Sequence, residues 1–528
     1  MDPQALPAFP RRMVYNALVA CLTSLSIGYV IGSPNVPEAS IRGTDGRCGP
    51  HPYTIQNGFP NCFEFSDLIW GLAVGSFCLG ACFGGLVGGA IQNKVGRIKT
   101  MMLSDLIFII GAITLGLTYH QAQFVVGRII VGIACGLGGV VAPTYLNEIA
   151  TAQARGVLGT FHQLFLVVGL LISNLIGLIW SNPPGWRVVM AVNAVPALLQ
   201  GLILFTLVES PKYLVSRHQL RAAQRSLQLL RGAESETDVY AELKDMALLL
   251  LNERLDDEKV AEEDLESPME PTVIPVQRDD SLATMRSNST AVQPSIELHR
   301  SSPKSTPSTQ DSYGILELFR SECRGIAIVG IVIHFLQQAS GINGLVYYST
   351  SFLANVFGSG SSQNITIGVS CCNLLATAFS VFLIDRFNRK TLMMASFFGI
   401  SISSVLLVAG GYSDTGILVV VAVFLYIISF AIGLGPIPWL LLSEMLPTYA
   451  LSPASSIATG VNWGSNFIIG LVFPSMTKGM GSATFIFFGS VSAFGVFYVW
   501  RFVPETRGLS VDQVMAAKGV PPRGSLKS

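Results

Sequence analysis

Polar side chains that could exchange hydrogen bonds with a ligand are concentrated in one otherwise apolar stretch, residues 325–357. The stretch is long enough to cross a bilayer, for which about 20 apolar residues suffice, yet its centre carries Gln337, Gln338, Ser340 and Asn343. An amide without a partner is costly in hydrocarbon, so these groups must face the protein interior or a wet cavity. Helical spacing places Gln337 and Asn343 broadly on one side. The pattern predicts either a polar binding site at membrane depth or hydrogen bonds that hold helix to helix.

Glycines and prolines predict where the helices around this site are interrupted. Gly341 and Gly344 weaken the helix at its middle, where transporters often unwind a helix and expose backbone groups to substrate. Pro436 and Pro438 cannot lie in an unbroken helix, so the apolar stretch 416–446 should bend there. We expect that bend to act as the hinge of a gate.

Amide and indole side chains recur at membrane depth in other apolar stretches. Amides donate and accept hydrogen bonds, and flat aromatic faces stack on the C–H face of a ring, so the combination suits a neutral polyol. Phosphate or carboxylate would require an arginine cluster, which these stretches lack. The alternative for the two tryptophans is packing or a place at the membrane interface. The residues are Gln163, Asn373, Asn462 and Asn466, with Trp439 and Trp463.

Ionisable residues within the apolar stretches are few, and each is a functional candidate. Asp105 is close in sequence to Arg97, which favours a role in topology or charge pairing over proton transfer. His162 adjoins Gln163 but points about 100° away on a helix, so we interpret it as a packing residue. The full set is Asp105, Arg128, His162 and His334.

Composition bounds the class of protein. The chain has 528 residues, is half hydrophobic and carries zero formal net charge, and its mean hydropathy of +0.53 lies outside the soluble globular range. Neutrality argues against nucleic acid as a partner. The sequence has no Ser/His/Asp or metal-ligand spacing, so we predict no enzyme, metal site or cofactor. Cys48 and Cys62 share a loop in which they either pair or stay free.

Hydropathy predicts twelve spans and hence an all-α membrane protein. An even number places both termini on one side, and the excess of Lys and Arg in the short loops there marks the cytoplasm. We expect a multi-pass protein of the plasma membrane with both termini cytoplasmic. The spans are roughly 13–33, 67–92, 101–119, 124–147, 158–180, 187–208, 325–357, 365–385, 391–412, 416–446, 454–477 and 482–503.

The spans divide the chain into two six-helix bundles, residues 1–208 and 325–503, joined by a cytoplasmic linker at 209–324 and followed by a cytoplasmic tail at 504–528. Helical spacing of Leu and Ala predicts short amphipathic helices in the first part of the linker. Residues 256–312 are rich in Ser, Thr, Pro and acidic side chains, which predicts disorder and a target for kinases.

The two bundles repeat a charge pattern at their cytoplasmic ends. Glu148 and Glu209 are 61 residues apart, as are Glu444 and Glu505. Parallel halves around a polar site are the plan of secondary transporters that rock about a central pocket. Opposite charges that pair when the cytoplasmic ends meet would form a latch for the outward-open state, whereas the alternative is that they fix topology and cap helices. The latch residues are Arg97, Glu148, Arg155, Glu209, Arg389, Glu444 and Glu505.

Several motifs together resemble the sugar porters of the major facilitator superfamily, and in particular the facilitative glucose transporters. The likeness covers nearly all spans but not the first long loop or residues 234–312. The motifs are residues 337–343 with Tyr347, Tyr348 and Ser349, then Pro-Ile-Pro-Trp at 436–439, Glu-Ser-Pro-Lys at 209–212 and Pro-Glu-Thr-Arg-Gly at 504–508.

The resemblance implies a major facilitator fold and a hexose as substrate. It implies that Tyr347 and Tyr348 form the outer gate and that Asn462, Trp463 and Asn466 line the path. His334 stands where glucose carriers usually have Gln, and Ala431 where many have a sugar-binding Glu. Leu451 replaces an Arg that pairs with the acid at Glu444, which implies a weaker latch in the second half. The implied sugar ligands are Gln163, Gln337, Gln338, Asn343, Asn373 and Trp439, with His334 beside them.

The resemblance also bears on whether sugar transport is coupled to a proton gradient. Proton-driven relatives carry an Asp after a Gly-Tyr pair in the first span, whereas here Gly28-Tyr29 is followed by Val30, which cannot carry a proton. Arg128 remains, as it does in uniporters of the family. We therefore predict downhill transport of a hexose such as glucose by alternating access. The alternatives are a proton-coupled hexose symporter and a sugar sensor that signals through the cytoplasmic loop.

Overall fold

The computed structural model describes residues 7–44, 55–56, 58–151, 153–233, 236–251 and 315–519. Within these ranges, eleven helical stretches are long and apolar enough to cross a membrane, and the last of them, Pro453–Phe502, contains two successive helices. Large apolar side chains such as Leu202, Leu375 and Ile417 are exposed around the bundle, as contact with lipid requires. The predicted all-α membrane protein with twelve spans is confirmed.

The first half of the chain contains spans 1 to 6, and span 6 is a series of short helices. Their bounds are Arg11–Gly32, Asp67–Val95, Arg97–Gly116, Gln121–Ile149, Arg155–Ile179, and for span 6 Trp186–Ala191, Ala194–Ile203 and the 3-10 turn Leu204–Thr206. Between spans 1 and 2 lie a short helix, Glu38–Arg42, and the antiparallel strands Ile55–Gln56 and Phe59–Pro60.

The second half contains spans 7 to 12, and spans 7 and 10 are broken. Their bounds are Arg324–Ala339 with Ile342–Phe357 for span 7, Ser359–Arg386, Arg389–Tyr412, Gly416–Ser429 with the π-helix Phe430–Leu434 and Ile437–Met445 for span 10, Thr448–Met480, and Thr484–Phe502 after the 3-10 turn Gly481–Ala483. Short helices Ile315–Arg320 and Val511–Ala517 flank this half.

Small residues let neighbouring spans approach so closely that their backbones touch. A Cβ atom added to Gly28 would lie 1.8 Å from the carbonyl oxygen of Leu166, so spans 1 and 5 touch along their backbones. A Cβ at Gly71 would lie 2.3 Å from the carbonyl oxygen of Leu471, which joins span 2 of the first half to span 11 of the second. Such contacts replace the hydrophobic effect as the source of helix association in lipid.

The linker forms short helices with a small apolar core of their own, which confirms the predicted helical linker. Arg231 ties them to the bundle, because its guanidinium donates to the carbonyl of Ile149 (2.8 Å) and pairs with Glu242 (2.7 Å). Residues 256–312, with the predicted disorder and kinase target, lie outside the described residues. The helices are Pro211–Ser216, Leu220–Arg231, the 3-10 turn Glu236–Val239 and Tyr240–Leu251.

Both described chain ends lie on the side of the membrane that holds these helices. The Thr151 hydroxyl donates to the carbonyl of Ala8, and the Arg507 guanidinium donates to the carbonyl of Arg386. We call this side the linker side, and the opposite side, which holds residues 33–44 and 58–66, the loop side.

Candidate functional site

A central cavity of about 360 Å³ lies between the two halves. Its size falls within the range of small-molecule sites. Asn147, Ser443 and Leu451, which line it, stand close to the linker-side ends of their spans, so the cavity opens toward the linker side. Among the described residues that line it, His162 is the only titratable one, and the wall is otherwise apolar, amide, hydroxyl or indole.

The breaks in spans 7 and 10 lie at this cavity. Span 7 stops at Ala339 and restarts at Ile342, with Gly341 at φ +86°, a backbone conformation that favours glycine. Span 10 widens into a π-helix and restarts at Ile437 after Pro436, whose ring and missing N–H end a helix. Both helices are interrupted where the sequence predicted.

Four side-chain amides next to these breaks form one hydrogen-bonded chain. Asn343 Nδ2 donates to Gln338 Oε1 (2.5 Å), and Gln338 Nε2 donates to Asn462 Oδ1 (3.1 Å). Asn462 Nδ2 donates to Gln337 Oε1 (2.8 Å), and Gln337 Nε2 donates to the Leu434 carbonyl of span 10 (2.6 Å). All four amides also line the central cavity. The amides therefore join spans 7, 10 and 11, as one predicted alternative requires, and they also face a chamber, in which ligand binding stays a prediction.

The amide chain fixes the orientation of groups that retain capacity for a ligand. Each side-chain amide has two N–H donors and an oxygen with two lone pairs, and the chain uses only part of that capacity. Gln337 also holds the carbonyl of Leu434, whose donor in an α-helix would be the N–H that Pro438 lacks, so the broken backbone and the polar wall depend on each other.

The remaining predicted cavity residues come from both halves. Gln163 of span 5 faces the break in span 10, because a Cβ at Gly435 would lie 3.7 Å from its Nε2 atom. Trp439 lines the wall with 42% of its surface exposed, and Trp463 lines it while its ring meets Phe77 edge-on at 5.9 Å between centroids. Asn466 lines it and accepts a hydrogen bond from the Tyr347 hydroxyl (2.8 Å).

Two predicted sugar ligands are not on the cavity wall in this conformation. His334 is buried behind the wall, where Nδ1 bonds the Gly330 carbonyl (3.0 Å) and the ring stands perpendicular to Trp439 at 5.0 Å. Asn373 of span 8 lines a separate small cavity nearer the loop side, and its Oδ1 accepts from Thr377 (3.4 Å). Both are corrections to the sequence-based placement, because packing against Trp439 and the position of span 8 keep them away from the chamber.

His162 is a cavity residue that the sequence interpretation missed. Its ring lines the wall, and Nδ1 is hydrogen bonded to the buried hydroxyl of Ser24 in span 1 (2.7 Å). The helical angle from Gln163 predicted a packing role, but the cavity is wide enough that both neighbours reach it.

The loop side is closed by side chains that meet across the two halves. Asn35 Nδ2 donates to Ser349 Oγ (2.9 Å), and the Thr350 N–H donates to Asn35 Oδ1 (3.2 Å). Tyr347 and Tyr348, the predicted outer gate, are buried, and the Tyr348 hydroxyl donates to the Gly470 carbonyl (2.8 Å). The conformation is thus open toward the linker side and closed toward the loop side.

A cluster of charges adds to the closure on the loop side. Arg42 pairs with Glu38 (3.0 Å) and with Asp67 (2.6 Å), and Asp67 pairs with Lys478 of the second half (2.5 Å). The Ser351 hydroxyl, also of the second half, donates to Glu38. We call Glu38, Arg42, Asp67 and Lys478 the outer charge cluster.

The outer charge cluster predicts a pH dependence of opening on the loop side. Burial raises the pKa of Glu38 above its ordinary value of 4.5, against the opposing effects of Ser351 and Arg42, while Asp67 adds to the rise. Opening would expose the carboxyl to water and return its pKa toward that value. The closed state therefore binds the proton more tightly. Lowering the pH through the raised pKa stabilises the closed state, and raising the pH above it removes that stabilisation.

We expect acidification of the loop side from neutral pH toward 4.5 to slow labelling of a Val346→Cys variant by an impermeant thiol reagent. Val346 lines the small cavity between the halves, so a cysteine there reports opening. Because acidification also protonates the thiolate that reacts with the reagent, each rate is divided by that of a permanently accessible cysteine at the same pH, and Glu38→Gln should abolish the pH dependence of this ratio. Arg42, Asp67, Lys478 and Tyr348 are the other titratable groups around Glu38, and an unchanged profile in Glu38→Gln would assign the effect to one of them.

The charges predicted as a latch pair within each half. Arg97 pairs with Glu148 (2.7 Å), and Glu209 accepts from the Arg97 N–H (3.1 Å). In the second half Arg389 pairs with Glu444 at the longer distance of 3.4 Å, and Glu505 accepts from the Arg389 N–H (3.0 Å). Arg155 is exposed at the start of span 5. In the described ranges no ion pair joins the two halves on the linker side, because the halves are apart there.

Burial and hydrogen bonding oppose each other at Glu209. Burial raises the pKa of its carboxyl, whereas the N–H groups of Ser210, Ile98 and Arg97 act to lower it. The carboxylate thus caps the start of span 3, where N–H groups lack helical partners. In the present conformation Glu209 therefore caps a helix, which is the predicted alternative to a latch.

Cys62 is in a disulfide bond. Cys48, the partner that the sequence offers, lies outside the described residues.

Twelve spans in two halves, with a neutral polar cavity between them that opens to one side, define a membrane transporter of the major facilitator fold. The family model for "Sugar (and other) transporter" matches residues 16–255 and 277–517. The chain belongs to this sugar transporter family of the major facilitator superfamily, and it is a multi-pass membrane protein.

Known relatives agree over nearly the whole chain. The chain is 31% identical over 523 residues to Facilitated glucose transporter protein 1 of Caenorhabditis elegans, covering 96% of this chain and 90% of that one. It is 31% identical over 532 residues to Solute carrier family 2, facilitated glucose transporter member 4 of Homo sapiens, covering 96% and 92%. The fold matches the proton:xylose symporter XylE bound to 6-bromo-6-deoxy-D-glucose, with a TM-score of 0.70 at 23% identity and coverage of 96% and 99%.

Proposed function

We propose that this protein is a uniporter that carries a hexose such as glucose across the plasma membrane by alternating access, with the linker side in the cytoplasm. The observation that carries the proposal is the chain of four amides on a cavity wall without fixed charge. Amides match hydroxyls as donors and acceptors, whereas an ionic substrate would leave its charge unpaired in this chamber. Relatives named as facilitated glucose transporters support the choice of a hexose.

Within this proposal the amides bind hydroxyls and the indoles contact the ring. Gln337, Gln338, Asn343 and Asn462 act from the second half, and Gln163 acts from the first, so a bound sugar connects the halves. Trp439 and Trp463 offer flat faces to the C–H side of the ring. Because the wall amides are already held by one another, little side-chain entropy is lost on binding.

During alternating access the loop side would open and the linker side would close. Opening the loop side breaks the bonds of Asn35 to Ser349 and Thr350 and separates Asp67 from Lys478. The breaks at Gly341 and Pro436 let half-helices of spans 7 and 10 move while the rest of each bundle stays rigid. The linker-side charges would then meet across the halves, as the latch hypothesis requires.

Downhill transport is favoured by the environment of Arg128. This buried guanidinium donates to the carbonyls of Val30 (2.8 Å) and Val74 (2.9 Å) and lies over the Phe77 ring at 4.7 Å. Among the described contacts it has no carboxylate partner, and the adjacent Val30 carries no proton. Without an acidic side chain next to Arg128 in the described part of the chain, this region has no carboxylate that could take up and release a proton. Sugar flux therefore has no means of coupling to a proton gradient at Arg128.

We expect purified protein in liposomes to equilibrate radiolabelled glucose without accumulating it when the interior is made alkaline relative to the exterior. A sugar gradient alone should set the final level. Accumulation above the external concentration that collapses with a protonophore would instead identify a proton symporter, the activity in the name of XylE.

A sugar sensor is separated from a transporter by flux. Expressed in cells that lack hexose carriers, the protein should restore uptake of at least one sugar among glucose, mannose, galactose and fructose. Surface expression confirmed by antibody, with no uptake of any of the four, would favour the sensor.

A further inference from the structure

Span 9, the helix Arg389–Tyr412, packs closely against span 10 before and within its break. A Cβ atom added to Gly399 of span 9 would lie 2.3 Å from Ser429 Oγ, at the end of the first segment of span 10. A Cβ added to Gly433, in the π-helix, would lie 2.6 Å from the Leu392 carbonyl oxygen of span 9. Small residues of this kind bring helices together with few interlocking side chains. Span 10 therefore meets little steric hindrance to sliding over span 9.

A serine hydroxyl of span 9 is hydrogen bonded to the break of span 10. Ser396 is 1% exposed, and its Oγ atom accepts a hydrogen bond from the Leu434 N–H of the π-helix (3.3 Å). Two turns later in span 9, the Ser403 hydroxyl instead donates to the carbonyl of Gly399 in its own helix (2.7 Å), which is a common arrangement for serine within a helix. The bond of Ser396 thus connects span 9 to span 10.

The peptide groups of Leu434 are held by side chains from two different spans. The Leu434 carbonyl accepts from Gln337 Nε2 of span 7 (2.6 Å), on the side of the central cavity. The Leu434 N–H donates to Ser396 of span 9, which does not line that cavity. Leu434 therefore links the polar wall of the cavity to a helix behind it.

Span 9 is itself fastened to span 12. The Ser401 hydroxyl donates to the Gly489 carbonyl of span 12 (3.0 Å), and a Cβ at Gly495 would lie 2.6 Å from the ring of Phe397. Span 9 thus belongs to the part of the second half that stays rigid in the proposed transport cycle. Span 10 beyond its break is a segment that moves, so the bond between Ser396 and Leu434 joins a fixed helix to a moving one.

We propose that Ser396 is a positioning residue that holds the break of span 10 against span 9 in the linker-side-open state and releases it when the loop side opens. The inference rests on the proposed alternating access and deepens it, because it names a contact that the moving segment must break. Ser396 acts through the Leu434 peptide and Gln337 rather than by contact with the sugar.

A state-specific bond and a purely structural one differ in their effect on the two conformations. If the Ser396 hydroxyl stabilises only the linker-side-open state, its removal shifts the population toward the loop-side-open state. If it stabilises both states equally, its removal lowers the stability of the fold and leaves the ratio of the two states unchanged. The population of the loop-side-open state therefore separates the two roles.

The test introduces Ser396→Ala into the Val346→Cys protein, expressed in cells and labelled from outside with an impermeant thiol reagent at one fixed pH. Val346 lines the small cavity that is closed in the present conformation, so the labelling rate follows the population of the loop-side-open state. We expect Ser396→Ala to raise this rate about 3- to 10-fold, as the loss of one hydrogen bond predicts. Alanine is smaller than serine and favours a helix, so the variant should fold.

Ser403→Ala in the same Val346→Cys protein is the matched control. Ser403 is buried on the same helix, but its hydroxyl is bonded within that helix, so this variant should label within a factor of two of the parent. Equal or slower labelling of Ser396→Ala would overturn the inference, as would an equal rise in Ser403→Ala, which would indicate general loosening. Absence of glucose uptake by the wild type would instead refute the proposed function, and the labelling rates would still decide the role of Ser396.

Discussion

We expect Gln337→Leu to lower hexose uptake at least about tenfold while the protein still reaches the membrane. Gln337 donates to the Leu434 carbonyl and accepts from Asn462, so leucine removes the side-chain donor to that carbonyl and the shorter of the two hydrogen bonds that Asn462 Nδ2 makes. Each such loss costs about 1–3 kcal/mol, and about 1.4 kcal/mol corresponds to a factor of ten. The lost hydrogen bonds weaken both sugar binding and the broken segment of span 10.

Initial rates of radiolabelled glucose uptake, normalised to surface expression, measure the effect. Ser455→Ala is the control, because Ser455 lines the same cavity near its mouth but lies outside the chain of four amides. Uptake of Gln337→Leu within a factor of two of wild type, with Ser455→Ala also normal, would contradict a role for the amide chain in transport.

Gly341→Ala should lower both thermal stability and uptake. At φ +86° an L side chain is strained by about 1–2 kcal/mol, and its Cβ would lie 2.5 Å from the ring of Phe488. Relief requires either a shift of Phe488 in span 12 or a change in the break of span 7. Both would displace Gln337 and Gln338, which immediately precede that break.

The melting temperature of the purified protein in detergent, compared with Gly464→Ala, tests this requirement. Gly464 is a helical glycine of span 11 next to Trp463, and a Cβ there would meet nothing within 4 Å. Gly464→Ala should melt at or above the wild-type temperature, since alanine favours a helix. Equal behaviour of the two variants would mean that the left-handed conformation at Gly341 is not needed.

The spans and the polar site could be predicted because each depends on local pattern. Runs of apolar residues define the spans, and amides at membrane depth must be buried together, which brought Gln337, Gln338, Asn343 and Asn462 to one wall. Helix-breaking residues likewise marked the interruptions at Gly341 and Pro436. The π-helix before Pro436 was not predictable, because it depends on the Gln337 amide and on the Ser396 hydroxyl, which binds the Leu434 N–H (3.3 Å).

The contacts that depend on the conformational state of the transporter could not be predicted from the sequence. The outer charge cluster joins Asp67 to Lys478, 411 positions apart, and neither residue belongs to a recognisable motif. The charges of the linker side carry a repeat that the sequence shows, but whether Arg97 pairs within its half or across it depends on the opening of the halves. His334 and Asn373 were displaced from the predicted wall by packing and by span position, which spacing alone does not encode.

The central claim is that an uncharged hexose crosses the membrane through the amide-lined cavity. Uptake of D-glucose and L-glucose into liposomes that contain only the purified protein tests it most directly. We predict saturable entry of D-glucose up to the external concentration, little entry of L-glucose, and loss of the difference in Gln337→Leu. Equal, non-saturable entry of both enantiomers, or selective entry that Gln337→Leu leaves intact, would contradict the account.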